Sequence, residues 1–207
     1  MIKRTKGRLL ITLLVITGLA GTINDPSLSK QERKVAVNQL KDTKANLLKN
    51  VKGLSDAQAN FKAAPERWSV KECVFHITLG ENVLWTMFEA TMKEPATPEK
   101  RSEVKFSDEE VVRMISDRSR KATAPEIIQP GKAPWTTMEE ALTEFKSSRT
   151  AHLKYTKTTT EDLRNHIFPM PFGTLDGYQF LLFMAAHSTR HTKQIEEIKA
   201  DPKFPTK

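Results

Sequence analysis

The 207-residue chain has one cysteine, Cys73, so no internal disulfide can staple it and its stability must come from packing. It has no apolar run of the roughly 20 residues that a membrane span needs. Its lysines and arginines form no long block and are not interleaved with aromatics, which argues against a nucleic-acid footprint. No segment alternates apolar and polar residues with a period of two over a useful length, which excludes a β architecture and leaves the all-α class. There is no internal repeat and no low-complexity tract. No glutamate follows the first histidine of the HxxxH at 187–191, where Ser188 stands, so this is not the HExxH site of zinc proteases.

What is present begins with a basic N-terminus. Lys3, Arg4, Lys6 and Arg8 precede an apolar or small run from Leu9 to Gly21, and Gly18-Leu19-Ala20 places small residues where a signal peptidase reads. That order, basic then apolar then small, predicts a signal peptide over 1–20 and an exported protein, with an uncleaved membrane anchor as the alternative. The run is short for a stable span, and no lipobox cysteine lies near it. Removing it takes four positive charges and no negative ones, so a net charge of +8 falls to +4. Much of the basic balance is thus an export signal. A linker over 21–28, one helical domain over 29–200 and a frayed tail at 201–207 follow.

Helix starts are unusually well marked. Ser29 with Glu32, Ser69 with Glu72 and Ser107 with Glu110 have the spacing of capping boxes, in which each side chain satisfies the other's backbone N–H. Thr136 with Glu139 reads the same way. The pattern predicts helices over about 29–52, 69–92, 107–120, 137–158 and 174–199, with Gly53 as a left-handed C-cap. Residues 55–61 read as a turn, 94–106 as a loop, and the Pro-rich 124–135 as a connection folding over something. Four long helices and one short helix in the middle connection suit a four-helix bundle.

The strongest helical pattern carries His187 and His191. Residues four apart project from one side of a helix, and the same side holds Phe180, Phe183, Met184, Ile195 and Ile198. Two imidazoles therefore interrupt a core stripe, where they must be hydrogen-bonded or bind a metal. His76, on the second long helix, shares its side with Val70, Cys73, Leu79 and Val83. Gly80, one turn on, suggests open space for a reactant beside the ring. Glu72 is accounted for by capping and Cys73 by core packing. His152 reads as partly exposed or satisfied by neighbours, with a role near the site as the alternative, and His166 as a surface residue.

Trp68-Ser69 leading into His76, the Leu54-Ser55-Asp56 turn before it, and His187-xxx-His191 followed by Gln194-Ile195-Glu196-Glu197-Ile198 together resemble the DinB-like (DinB/YfiT-like) family of metalloenzymes. The resemblance spans nearly the whole chain after the signal segment. It implies a four-helix bundle in which His76, His187 and His191 bind a divalent metal; imidazole suits zinc, nickel, copper and iron alike, and a divalent transition metal, zinc or nickel first, is expected. Relatives acting as S-transferases or isomerases use low-molecular-weight thiols of the cytosol, and the export signal departs from that setting.

Three neutral imidazoles would leave the ion's charge uncompensated and at least one coordination position open, the pattern of a catalytic site. Water or a thiol there would be acidified, giving hydrolase-like or thiol-transferase-like chemistry on a small-molecule substrate. Glu81, Ser188, His152 and Arg190 are unranked candidates for general base. A non-catalytic bundle that binds metal or a small ligand is the alternative, and a structural protein with three satisfied core histidines is the third. No nucleic-acid partner and no stable membrane insertion after cleavage are expected; a homodimer is left open.

Overall fold

The computed structural model describes residues 27–119 and 123–206. The segment read as a signal peptide and residues 21–26 of the linker lie outside the described residues. In chain order the elements are α1 (Lys30–Val51), α2 (Asp56–Asn60), α3 (Val70–Met92), α4 (Asp108–Ser116), α5 (Met138–Thr158), β1 (Ile167–Met170), β2 (Gly173–Asp176) and α6 (Gly177–Lys199). Short 3-10 segments at Pro98–Glu103, Glu126–Ile128 and Pro130–Lys132 punctuate the connections around α4. No helix among the described residues is long and apolar enough to cross a membrane.

The expected bundle is present. α1 packs against α5 and α6, and α3 packs against the same two, so α1 and α3 stand at opposite corners. α4 lies outside, along α6. The capping boxes at Ser29, Ser69 and Ser107 all form, and Gly53 takes φ 70° just beyond α1, a conformation that costs any other residue more. At α5 the box sits one residue later than read, on Thr137 and Glu140, because Glu140 accepts from both the Thr136 and Thr137 backbone N–H groups.

Three other expectations are corrected. The turn at 55–61 contains α2, a five-residue helix with its own Ser55–Gln58 capping box, too short to show periodicity. The region ahead of α6 is an antiparallel hairpin pairing Ile167 with Asp176 and Phe168 with Leu175, and α6 begins at Gly177 behind the N-cap Asp176. Four-residue strands interrupted by Pro169 carry too little alternation to read. The tail is docked: Phe204 meets Phe61 edge-on at 5.5 Å, and Gln58 donates to the Pro205 carbonyl at 2.9 Å.

The core has two apolar parts. One joins Leu47, Val74, Ile77, Phe145 and Ile195, and the other joins Leu84, Phe88, Leu175, Phe180 and Leu181. Each such side chain contributes about 1.5–3 kcal/mol by leaving water. Between them, at residues 76–81 of α3, 149–152 of α5 and 187–192 of α6, runs a layer of buried polar side chains: His76, Thr78, Glu81, Arg149, His152, Ser188, His191 and Thr192. That layer contains the candidate site.

Candidate metal centre

α3 and α6 lie side by side, and their core faces bring His76, His187 and His191 together from positions more than 100 residues apart. Nε2 of His76 lies 3.1 Å from Nε2 of His187 and 3.0 Å from Nε2 of His191. His76 and His191 are buried and His187 is half-buried, so His187 marks the more open side of the cluster. These three residues form a group whose ligand atoms all lie within 4.8 Å of one another.

The ring partners decide what the converging nitrogens can do. Nδ1 of His76 is 2.7 Å from the Ile128 carbonyl, which can only accept, so Nδ1 carries the proton and Nε2 presents a lone pair. Nδ1 of His191 faces the Gln194 side-chain oxygen at 2.9 Å and is fixed in the same tautomer. Burial, the largest cause, holds all three rings below the ordinary imidazole range. The neighbouring imidazoles add to this at His187 and His191, and His191 is pushed down to about 3. Two lone pairs facing each other at 3.0 Å without a shared proton repel, and a cation placed between them reverses the sign of that interaction. Tetrahedral nitrogen ligands at 2.0–2.1 Å stand about 3.3–3.4 Å apart, so the His76–His187 and His76–His191 pairs need only a slight expansion to fit a transition metal ion.

Supporting groups surround the rings. Trp68, partly buried against the core cluster that holds Cys73, lays its indole against His76 at 4.8 Å and His191 at 5.9 Å between ring centres. The Pro-rich connection folds over this site, contributing the Ile128 carbonyl. Arg118 forks onto Glu197 at 2.8 and 3.1 Å and reaches Gln194 at 3.4 Å, tying the chain after α4 to the last turns of α6.

Gly80 is not open space. A Cβ built there would stand 2.6 Å from Cε1 of His187, so the missing side chain is where the His187 ring lies. The space expected there for a reactant is filled by the His187 ring. Surface clefts of about 440 and 420 Å³ lie elsewhere, beside Trp135 and Glu140 and beside Glu32 and Asp108.

The four general-base candidates are all engaged. Glu81 is buried and takes a bidentate Arg149 at 2.6 Å per contact, with His152 Nδ1 at 2.7 Å; burial alone would raise its carboxyl, but Arg149 and His152 outweigh this and bring it down to about 2. His152 is buried, stacked on Trp85 at 3.9 Å and satisfied by Glu81. Ser188 accepts from Arg149 and donates to the Met184 carbonyl, and Arg190 donates to the Asp117 carbonyl. His166, expected at the surface, is buried with its ring nitrogens 2.7 Å from the Asp162 carbonyl and 3.0 Å from the Glu94 carbonyl. It lies before β1 and is not part of the cluster. Arg149 went unnoticed in the sequence, although an arginine between Phe145 and His152 on the core stripe of α5 is a legible anomaly.

With this geometry in view, the comparison with known proteins is decisive at the level of family. The profile of the DinB superfamily matches residues 39–195, a span from the middle of α1 to the last turns of α6. The chain belongs to the DinB superfamily. The chain is 27% identical over 152 residues to the uncharacterized protein YuaE of Bacillus subtilis (strain 168), covering 72% of this chain and 88% of that one. Among solved structures it is similar to YfiT from Bacillus subtilis, with a TM-score of 0.58 at 16% identity over 84% of this chain and 89% of that one. YfiT is described as a probable metal-dependent hydrolase with an unusual four-helix bundle topology. At that identity the likeness concerns the fold.

Proposed function

We propose that this DinB-superfamily protein is an exported metal-dependent enzyme whose divalent transition metal is held by His76, His187 and His191, acting on a small-molecule substrate by hydrolysis or thiol transfer. The observation that carries the reading is the convergence of imidazole lone pairs, two of them fixed as acceptors by Ile128 and Gln194, in a group of potential ligands that among the described residues is made of histidines. When bound, a cation with three neutral ligands supplies Lewis acidity, polarising a carbonyl or acidifying a water or thiol. The chain's own part is to hold the rings unprotonated, to shield His76 and His191 behind Trp68, and to leave His187 on the accessible side. Glu81 is poorly suited to move a proton, since both its oxygens are occupied by Arg149 and His152. Export rests on the composition of residues 1–20, and zinc and nickel are the first metals to test.

The engagement of all four base candidates favours one second reading, a bundle that binds metal or a small ligand without turnover. Two measurements separate these. Metal analysis of purified protein against a variant with alanine at 76, 187 and 191 should show about one equivalent lost; equal content in both removes the site. The metal-loaded protein is then screened with activated esters, lactones and thiol–acceptor pairs. Metal-dependent turnover supports the enzyme, and none across the panel supports the binder.

A further inference from the structure

Arg149 enters the bundle core from α5 and meets all of the other three long helices. Its Nε and Nη2 grip Glu81 of α3 at 2.6 Å each, its Nη1 reaches the Leu40 carbonyl at 3.0 Å and the Thr43 hydroxyl at 2.7 Å on α1, and Nη2 also donates to Ser188 of α6 at 2.8 Å. A guanidinium has five N–H donors, so all five are satisfied. The side chains of Arg149 and Glu81 are 0% and 1% exposed.

A bundle closed by apolar packing alone does not need this. Buried ion pairs add little net stability over well-packed apolar residues, because removing both charges from water offsets their attraction. What the pair supplies is direction: a planar fork accepts its partners in only one arrangement. The residues it fixes lie next to the histidine cluster. Glu81 adjoins Gly80, against which the His187 ring is seated, and Ser188 adjoins His187 itself. Slippage of α6 along α3 by a fraction of a turn would drive the His187 ring off Gly80 and separate it from His76.

We infer that the Glu81–Arg149–Ser188 network is a positioning device for the metal centre, setting the register of α6 on α3 so that His187 meets His76. Arg149 acts through the ligands and touches neither the metal nor a substrate. The inference rests on the metal-binding reading above, and the experiment keeps the two apart.

Zinc affinity by competition titration and the visible spectrum of the cobalt(II)-loaded protein are compared for the wild type, Ser188→Ala, and the double variant Glu81→Leu with Arg149→Met. The double variant removes both charges together, so it leaves neither stranded. The network predicts roughly 10–100-fold weaker zinc binding in the double variant and a smaller loss in Ser188→Ala, as for other groups that orient metal ligands. The cobalt bands should shift or lose intensity in both, reporting altered geometry. A packing role alone would change the unfolding midpoint while leaving zinc affinity and the cobalt spectrum as in the wild type, and that result overturns the inference. Should the double variant not fold, Ser188→Ala decides by the same readouts. If the wild type binds neither ion, it is the metal-binding reading that fails.

Discussion

Replacing Gly80 by alanine sets helix stability against metal binding. Within a helix interior, alanine is favoured over glycine by about 1 kcal/mol, so by propensity alone the metal-free G80A protein should be as stable as the wild type or more so. At the site the effect is opposite. The new Cβ would lie 2.6 Å from Cε1 and 3.2 Å from Nδ1 of His187, where ordinary contact begins at 3.4 Å, so the ring must retreat by about 0.8 Å. The clash falls on a side-chain ring and on no backbone atom, which spares the fold but moves Nε2 from its 3.1 Å approach to His76. Metal–ligand distances tolerate about 0.2 Å, several times less than this displacement. Zinc affinity should therefore fall at least tenfold, or about 1.4 kcal/mol. Urea denaturation of the metal-free protein alongside zinc competition titration reads both quantities. Wild-type zinc affinity in G80A would refute the argument, since His187 would then either not be a ligand or not be seated on Gly80.

Gln194→Leu removes the acceptor that fixes the His191 tautomer, and should weaken metal binding roughly 10–100-fold with a small change in metal-free stability; unchanged affinity in the same titration would contradict this. Glu81→Leu alone strands the Arg149 charge in the core and should cost about 3–5 kcal/mol in denaturant unfolding, a loss that Arg149→Met in the same chain should largely reverse. The cluster also predicts a pH dependence. Because the folded imidazoles lie below 6.5, with His191 at about 3, the unfolded chain takes up protons first as pH falls. Metal-free stability should be full well above pH 6.5 and decline below it, the histidine contribution being separable from that of the carboxylates between about pH 6.5 and 4.5. The variant with alanine at 76, 187 and 191 should be flatter over that window, and an equal slope would show that the depression is absent.

Much of this molecule is written in interactions spanning three or four residues. The boxes Ser29–Glu32, Ser69–Glu72 and Ser107–Glu110 each close on themselves, so helix starts were legible without knowledge of the rest. The HxxxH of α6 shares one face because of helical geometry alone, and its apolar neighbours announced that the face was buried. His76 could be placed on a core stripe for the same reason, and the family resemblance supplied the link between the two helices.

What the tertiary structure alone decided are contacts whose partners have no fixed spacing. The Ile128 carbonyl that sets the His76 tautomer lies 52 residues away, and Arg149 reaches Glu81 across 68 and Leu40 across 109. Gly80 looked like room for a reactant because a missing side chain is visible in the sequence, whereas the ring that fills the gap belongs to another helix. His166 looked exposed because its loop is polar, yet two carbonyls, one from Glu94, enclose it. Local hydrogen bonding and periodicity determine which faces are buried; only the packing of those faces against each other determines what each buried polar atom meets.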